Sequence, residues 1–80
     1  MNNEEISNQI RSFLIEELGI SPSTSNEDSL FSGGILDSLD ILSIITFFEN
    51  KLSVKFSPFE VGLEQLDTID LMVRAVIKKS

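Results

Sequence analysis

Gly34-Ile35-Leu36-Asp37-Ser38-Leu39 marks the point where a glycine-containing loop gives way to an almost wholly apolar helix, with an Asp-Ser pair at the junction. Asp is a strong helix N-cap, so a helix starting at Asp37 or Ser38 puts the serine at or near its first position. Asp40, three residues beyond Asp37, completes an arrangement like a capping box, although Asp is shorter than the usual Glu. The helix then reads to about Leu52 through Ile41, Leu42, Ile44, Ile45, Phe47 and Phe48. These side chains spread around most of the cylinder, so a small bundle buries only part of them and leaves apolar surface for a partner or cargo. Of the two adjacent rings, Phe48 is expected to point inward.

Upstream, Ser21 to Leu36 is rich in Ser, Asn, Asp and Gly and shows no sustained period, which predicts a long loop. Leu30, Phe31 and Ile35 are its expected anchors. Before it, Ile6, Ile10, Phe13, Leu14 and Leu18 fall on one face of a helix from about Asn3 to Leu18. Glu4 and Glu5 suit its positive end, and Gly19 followed by Pro22 stops it. Downstream, Leu52 to Phe56 alternates like a strand but is too short and isolated to build a sheet. Ser57-Pro58-Phe59-Glu60 predicts a short helix ended near Gly62, with a capping serine, proline at the first helical position and glutamate at the third. Asp67-Thr68-Ile69-Asp70 opens a last helix whose apolar face is Ile69, Met72, Val73, Val76 and Ile77, with Lys78 and Lys79 at its negative end. The reading is all-α: a small four-helix bundle, three main helices plus one short one, with a long loop between the first two, forming a single domain over residues 1–80.

Eighty residues bury only about 60–65% of the surface that the unfolded chain exposes, which argues against a deep pocket. With no cysteine, disulfides and zinc–thiolate sites are excluded; with no histidine, so are Ser-His-Asp and Cys-His mechanisms. An independent enzyme is therefore disfavoured. Glu27, Asp28, Asp37 and Asp40 raise the question of calcium, but counting from Asn26 the fifth and sixth loop positions are Leu30 and Phe31, so no metal site is expected. Thirteen acidic against six basic residues give a charge of −7, which repels nucleic acid and anionic lipid and favours basic protein partners. The first residues carry no positive segment leading into an apolar run, and no stretch approaches the ~20 apolar residues of a membrane span. A soluble, cytoplasmic monomer is expected, with no membrane insertion.

A phosphodiester on the Ser38 oxygen would lie in the favourable field of the helix N-terminus. Gly34-x-x-Asp37-Ser38-Leu39 resembles the pattern around the modified serine of acyl and peptidyl carrier proteins, and the order of elements along essentially the whole chain is similar to that family. The resemblance implies that a phosphopantetheinyl transferase places 4′-phosphopantetheine on Ser38, with Asp37 and Leu39 flanking it for recognition. The arm ends in a thiol that holds acyl or aminoacyl groups as thioesters for loading ligases or transferases and downstream acyl-using enzymes, while the chain itself catalyses nothing. Asp40, Ile41 and Glu49 are the expected docking residues.

Carriers of fatty-acid synthesis usually follow the serine with a strongly acidic helix. Here only Asp40 and Glu49 are acidic, Ser43 and Asn50 stand where those carriers often have glutamate, and Lys51 reverses the charge. The segment Phe56 to Ile69, with Glu60-Val61-Gly62 and then Asp67-Thr68, is similar to stand-alone carriers loaded by adenylating ligases, such as D-alanyl carrier proteins, although those commonly have methionine where this chain has Leu39. A specialised, ligase-loaded carrier is expected. The alternatives are a housekeeping fatty-acid carrier and, from another class, an unmodified helical adaptor that grips a partner with its apolar second helix.

Overall fold

The computed structural model describes residues 2–57 and 59–79. Three α-helices, α1 (Asn3–Leu18), α2 (Asp40–Leu52) and α3 (Ile69–Lys79), and a 3₁₀ turn at Leu63–Gln65 carry the regular structure, with no strand among the described residues. The fold is all-α, and α1 matches its expected span.

Local chemistry sets each boundary. Asn2 Oδ1 accepts the Glu5 N–H at 2.8 Å to start α1. At the other end Gly19 takes a left-handed φ of 74°, and its N–H and that of Ile20 both reach the Leu14 carbonyl. The cap of α3 is Thr68, whose Oγ1 accepts the Leu71 N–H at 3.0 Å. Asp67, which the sequence places at this helix start, turns away instead and bonds to the long loop.

One α1 stripe, Ile6, Ile10 and Leu14, is buried chiefly against α3, with Phe13 and Leu18 half-buried on its flanks. From α3 come Ile69, Met72, Val73 and Val76. Ile77 does not join them: it is 40% exposed, because it follows Val76 by about 100° around the helix. α2 contributes Ile44, Ile45, Phe48 and Leu52. Phe48 is fully enclosed, its ring 5.7 Å from that of Phe56. After Ser53, at φ 57°, Val54 and Phe56 point inward while Ser53 and Lys55 point outward, an alternation of burial with no strand partner.

The expected short helix before Gly62 is not formed. Its capping contacts are: Ser57 N–H donates to Glu60 Oε1 at 2.7 Å, and Phe59 N–H to Ser57 Oγ at 3.1 Å. They close one turn only, since Gly62 is extended (φ −101°, ψ 167°) and the helical turn begins after it, at Leu63. Pro58, expected at the first helical position, lies outside the described residues.

The connection between α1 and α2 is held from three directions. Leu30 is fully enclosed and Leu36 nearly so, joined by a hydrogen bond from Leu36 N–H to the Leu30 carbonyl at 2.8 Å. Ile35, an expected anchor, is 45% exposed, because that closure turns Leu36 inward and its neighbour outward; Phe31 is half-buried. The Arg11 guanidinium donates to the Thr24 carbonyl and to Asn26 Oδ1, and the Asn26 carbonyl accepts the Asp70 N–H at 3.1 Å. Finally, Asp67 accepts from Phe31 N–H at 2.8 Å, Ser32 N–H at 3.0 Å and Ser32 Oγ–H at 2.7 Å.

These donors, the Ser32 hydroxyl foremost, hold the Asp67 carboxyl below its ordinary range. A carboxyl depressed in the folded state adds stability above its unfolded value, about pH 4, and that contribution is lost as pH falls through the lowered folded value. The difference in melting temperature between wild type and Asp67→Asn is therefore expected to be largest near neutrality and to shrink below about pH 4; a difference constant with pH would remove the carboxylate's role. Phe48→Ala is expected to lower stability by about 3–5 kcal/mol in urea unfolding, a large part of the roughly 5–15 kcal/mol of a small domain.

Candidate functional site

Asp37 ends the long loop, but it is not the N-cap of α2 as the sequence suggests: Leu39 holds that position with no side-chain cap, and Asp37 braces the turn before it. Its Oδ1 accepts the Leu39 N–H at 2.9 Å and Asp40 Oδ2 accepts the Asp37 N–H at 3.1 Å, but the Asp40 N–H goes to the Asp37 carbonyl, so only half of the expected capping box forms. The first turn is tight: Asp40, Ile41 and Leu42 N–H reach the carbonyls three residues back, at 3.1, 3.4 and 3.3 Å. Regular α-helix consequently begins at Asp40, not at Asp37 or Ser38.

Ser38 sits in that opening turn, exposed, and its Oγ makes no hydrogen bond among the described residues. Of the N–H groups around it, those of Leu39, Asp40, Ile41 and Leu42 are already bonded within the turn. The helix end is thus satisfied by its own carboxylates and carbonyls, and a phosphate on Ser38 would extend into solvent without being needed as a cap. Gly34, at φ 80°, takes the left-handed conformation and has open space where a side chain would begin.

The surround is apolar. Ile35, Leu39 and Leu42 are 45%, 75% and 52% exposed. Leu42 lies one turn from Ser38 on the same helix face. It also opens a groove of about 810 Å³ between α1 and α2, where the Phe13 and Phe47 rings stack at 4.4 Å and 15°. Sequence periodicity did not anticipate this stack, because it joins flank positions of two helices. The other expected site residues are spread out. Asp40 and Ile41 are half-buried beside the serine, and the Asp40 carboxylate is engaged in the turn. Glu49 is exposed about 16 Å farther along the helix, 4.0 Å from Lys55 Nζ. No cluster of three or more acidic, His or Cys side chains among the described residues could hold a metal ion, and no helix there is long and apolar enough to cross a membrane.

Residues 8–76, most of the chain and centred on this turn, match the PP-binding family, the phosphopantetheine attachment site. The chain belongs to this family of carriers. It is also similar to the acyl carrier protein of Thermotoga maritima, 30% identical over 77 residues that cover 95% of this chain and 93% of that protein. A covalently attached 4′-phosphopantetheine is accordingly the carrier's prosthetic group, and the carrier is non-catalytic: phosphopantetheinyl transferases and acyl-using enzymes act on proteins of this family. The arrangement around Ser38 fits such a group, since the turn is hydrogen-bonded and the serine is exposed, its hydroxyl unbonded among the described residues.

Asp37→Ala removes the acceptor that braces this turn and is expected to cost about 1 kcal/mol, visible as a melting temperature lower by several degrees. An unchanged melt would mean that the turn holds without its aspartate.

Proposed function

We propose that Ser38 bears the phosphopantetheine arm and that the chain, one domain over residues 1–80, carries acyl or aminoacyl thioesters between enzymes in a pathway served by an adenylating ligase. The observation that carries the assignment is the exposed, unbonded Ser38 hydroxyl at the start of a braced helix, inside the region that matches the family. The arm's terminal thiol supplies the thioester chemistry. The chain's own residues present the hydroxyl. They do not activate it: there is no histidine, Asp37 Oδ1 accepts a backbone N–H, and Asp40 Oδ2 accepts another. The base that takes the Ser38 proton is thus the transferase's to provide.

Asp37 and Leu39 flank the serine for recognition, and Asp40, Ile41 and Glu49 are the docking residues. Asp40 serves both the turn and the docking face. Ile41, half-buried, offers one edge. The small number of acids on α2 supports the ligase-loaded reading. The name of the Thermotoga maritima relative, an acyl carrier protein, favours a second one, a fatty-acid synthesis carrier. A monomer working in the cytoplasm suits either role.

Incubation with coenzyme A, magnesium and a broad-specificity phosphopantetheinyl transferase is expected to add a single phosphopantetheinyl group, mapped to Ser38 by peptide mass spectrometry. Ser38→Ala should take up none while keeping the wild-type circular dichroism and melt, since an exposed hydroxyl contributes little packing. Modification of the alanine variant would end the assignment. ATP-dependent aminoacyl or acyl loading of the holo form by an adenylating ligase supports the first pathway, whereas turnover by malonyl transfer enzymes supports the second.

A further inference from the structure

The geometry points to Asp67, far from Ser38 in sequence, as a positioning residue for modification of that serine, acting through the loop that leads to it. This rests on Ser38 being the attachment point. The loop from Ser29 to Leu36 is buried only at Leu30 and Leu36; Ser32, Gly33, Gly34 and Ile35 are all exposed. Packing fixes its ends and half-buries Phe31, but does not hold the segment from Ser32 to Ile35. What fixes the middle is Asp67. Its carboxylate receives the Phe31 and Ser32 N–H groups and the Ser32 hydroxyl, and its carbonyl receives the Leu30 N–H at 2.6 Å.

From there the chain of contacts runs to the serine. Gly34 N–H donates to the Phe31 carbonyl at 3.1 Å, Leu36 N–H donates to the Leu30 carbonyl at 2.8 Å, and the next residue is Asp37. The turn at Gly33 is close-fitting as well: a side-chain carbon there would lie 2.3 Å from the Ser29 carbonyl oxygen. An enzyme that modifies Ser38 must approach past Ile35 and Leu39, and the segment that carries Ile35 is held at one end by the Asp67 bonds at Phe31 and Ser32 and at the other by the bond of Leu36 to Leu30. Removing the carboxylate leaves Leu30 and Leu36 buried while the exposed segment samples other conformations. Only the competent fraction is then recognised. Apparent affinity falls by that fraction, and the bound complex, once formed, reacts as before.

The test is steady-state phosphopantetheinylation of the apo protein by a broad-specificity transferase, with coenzyme A saturating and amide hydrogen exchange measured in parallel. Asp67→Ala is expected to raise KM for the apo carrier about tenfold, as a competent fraction near one tenth requires, with kcat within about twofold. Phe31 and Ser32 amides should exchange faster, and those of the α1 core should not. Asp67→Asn, which keeps an Oδ1 acceptor for both amides, should recover most of the affinity. Thr68→Ala is the control for general destabilisation: it removes the cap of α3, lowers the melting temperature and should leave KM unchanged. Should Asp67→Ala not fold, Ser32→Ala decides the matter, with a smaller rise in KM expected. An unchanged KM in the variant that folds, a loss confined to kcat, or an equal rise in Thr68→Ala overturns the inference. Wild-type protein left unmodified at Ser38 would instead overturn the attachment assignment.

Discussion

The fold depends on fastening an irregular connection, from Gly19 to Leu39, to helices that it does not extend. Its backbone groups have no ladder or helix of their own, and polar groups near the core need partners. The solution uses few side chains. Arg11 from α1 takes the first half of the loop, Asn26 ties it to α3, and Asp67 holds the second half. Because α1 and α3 are each other's main packing partners, the loop is clamped to the most firmly built part of the molecule. The start of α2, and the serine in its first turn, inherit their position from that clamp.

The features legible in the sequence are those whose signals are local. The stripe of α1 follows from the spacing of Ile6, Ile10 and Leu14, and two aspartates three apart mark the turn that leads into α2, although the helix proper starts later with Leu39 at its N-cap. Phe48 lies inward as expected, since it belongs with Ile44, Ile45 and Leu52 on one face. The role of Asp67 was not legible: Asp67-Thr68 marks the opening of the last helix, where the threonine caps while the aspartate bonds across the fold. A local pattern contains no information about that distant partner. The choice between Ile35 and Leu36 was closed to sequence reading on the same grounds, being decided by a hydrogen bond back to Leu30. At Ser57 to Glu60 the capping signal is genuine but too weak alone. One capped turn does not overcome the nucleation cost of a helix when an extended glycine follows.

Charge and apolar surface act on different scales around Ser38. The chain is strongly acidic, but α2 holds only two acids: Asp40 is occupied by the turn and Glu49 lies beside Lys55. An exposed ion pair formed with a visiting enzyme contributes about 0–1 kcal/mol and weakens with salt. Covering an exposed leucine contributes roughly 1.5–3 kcal/mol. With Leu39 and Leu42 both more than half exposed beside the serine, apolar contact outweighs ion pairing in the proposed docking face. Net charge then acts mainly on encounter, through the long-range field, and the leucines on the lifetime of the complex.

A carrier must be recognised by several enzymes and released by each, which sets opposing demands on one small surface. The structure meets the first by ordering the loop and turn in advance, so that a partner does not have to order them on binding. It meets the second by keeping the exposed apolar set near the serine small, namely Ile35, Leu39 and Leu42, well short of the buried cluster that sustains a permanent interface. The hydroxyl itself adds nothing to either side of that balance. It has no hydrogen-bond partner among the described residues to give up, so attachment of the proposed arm to it would change the molecule's reach without disturbing the contacts that hold it together.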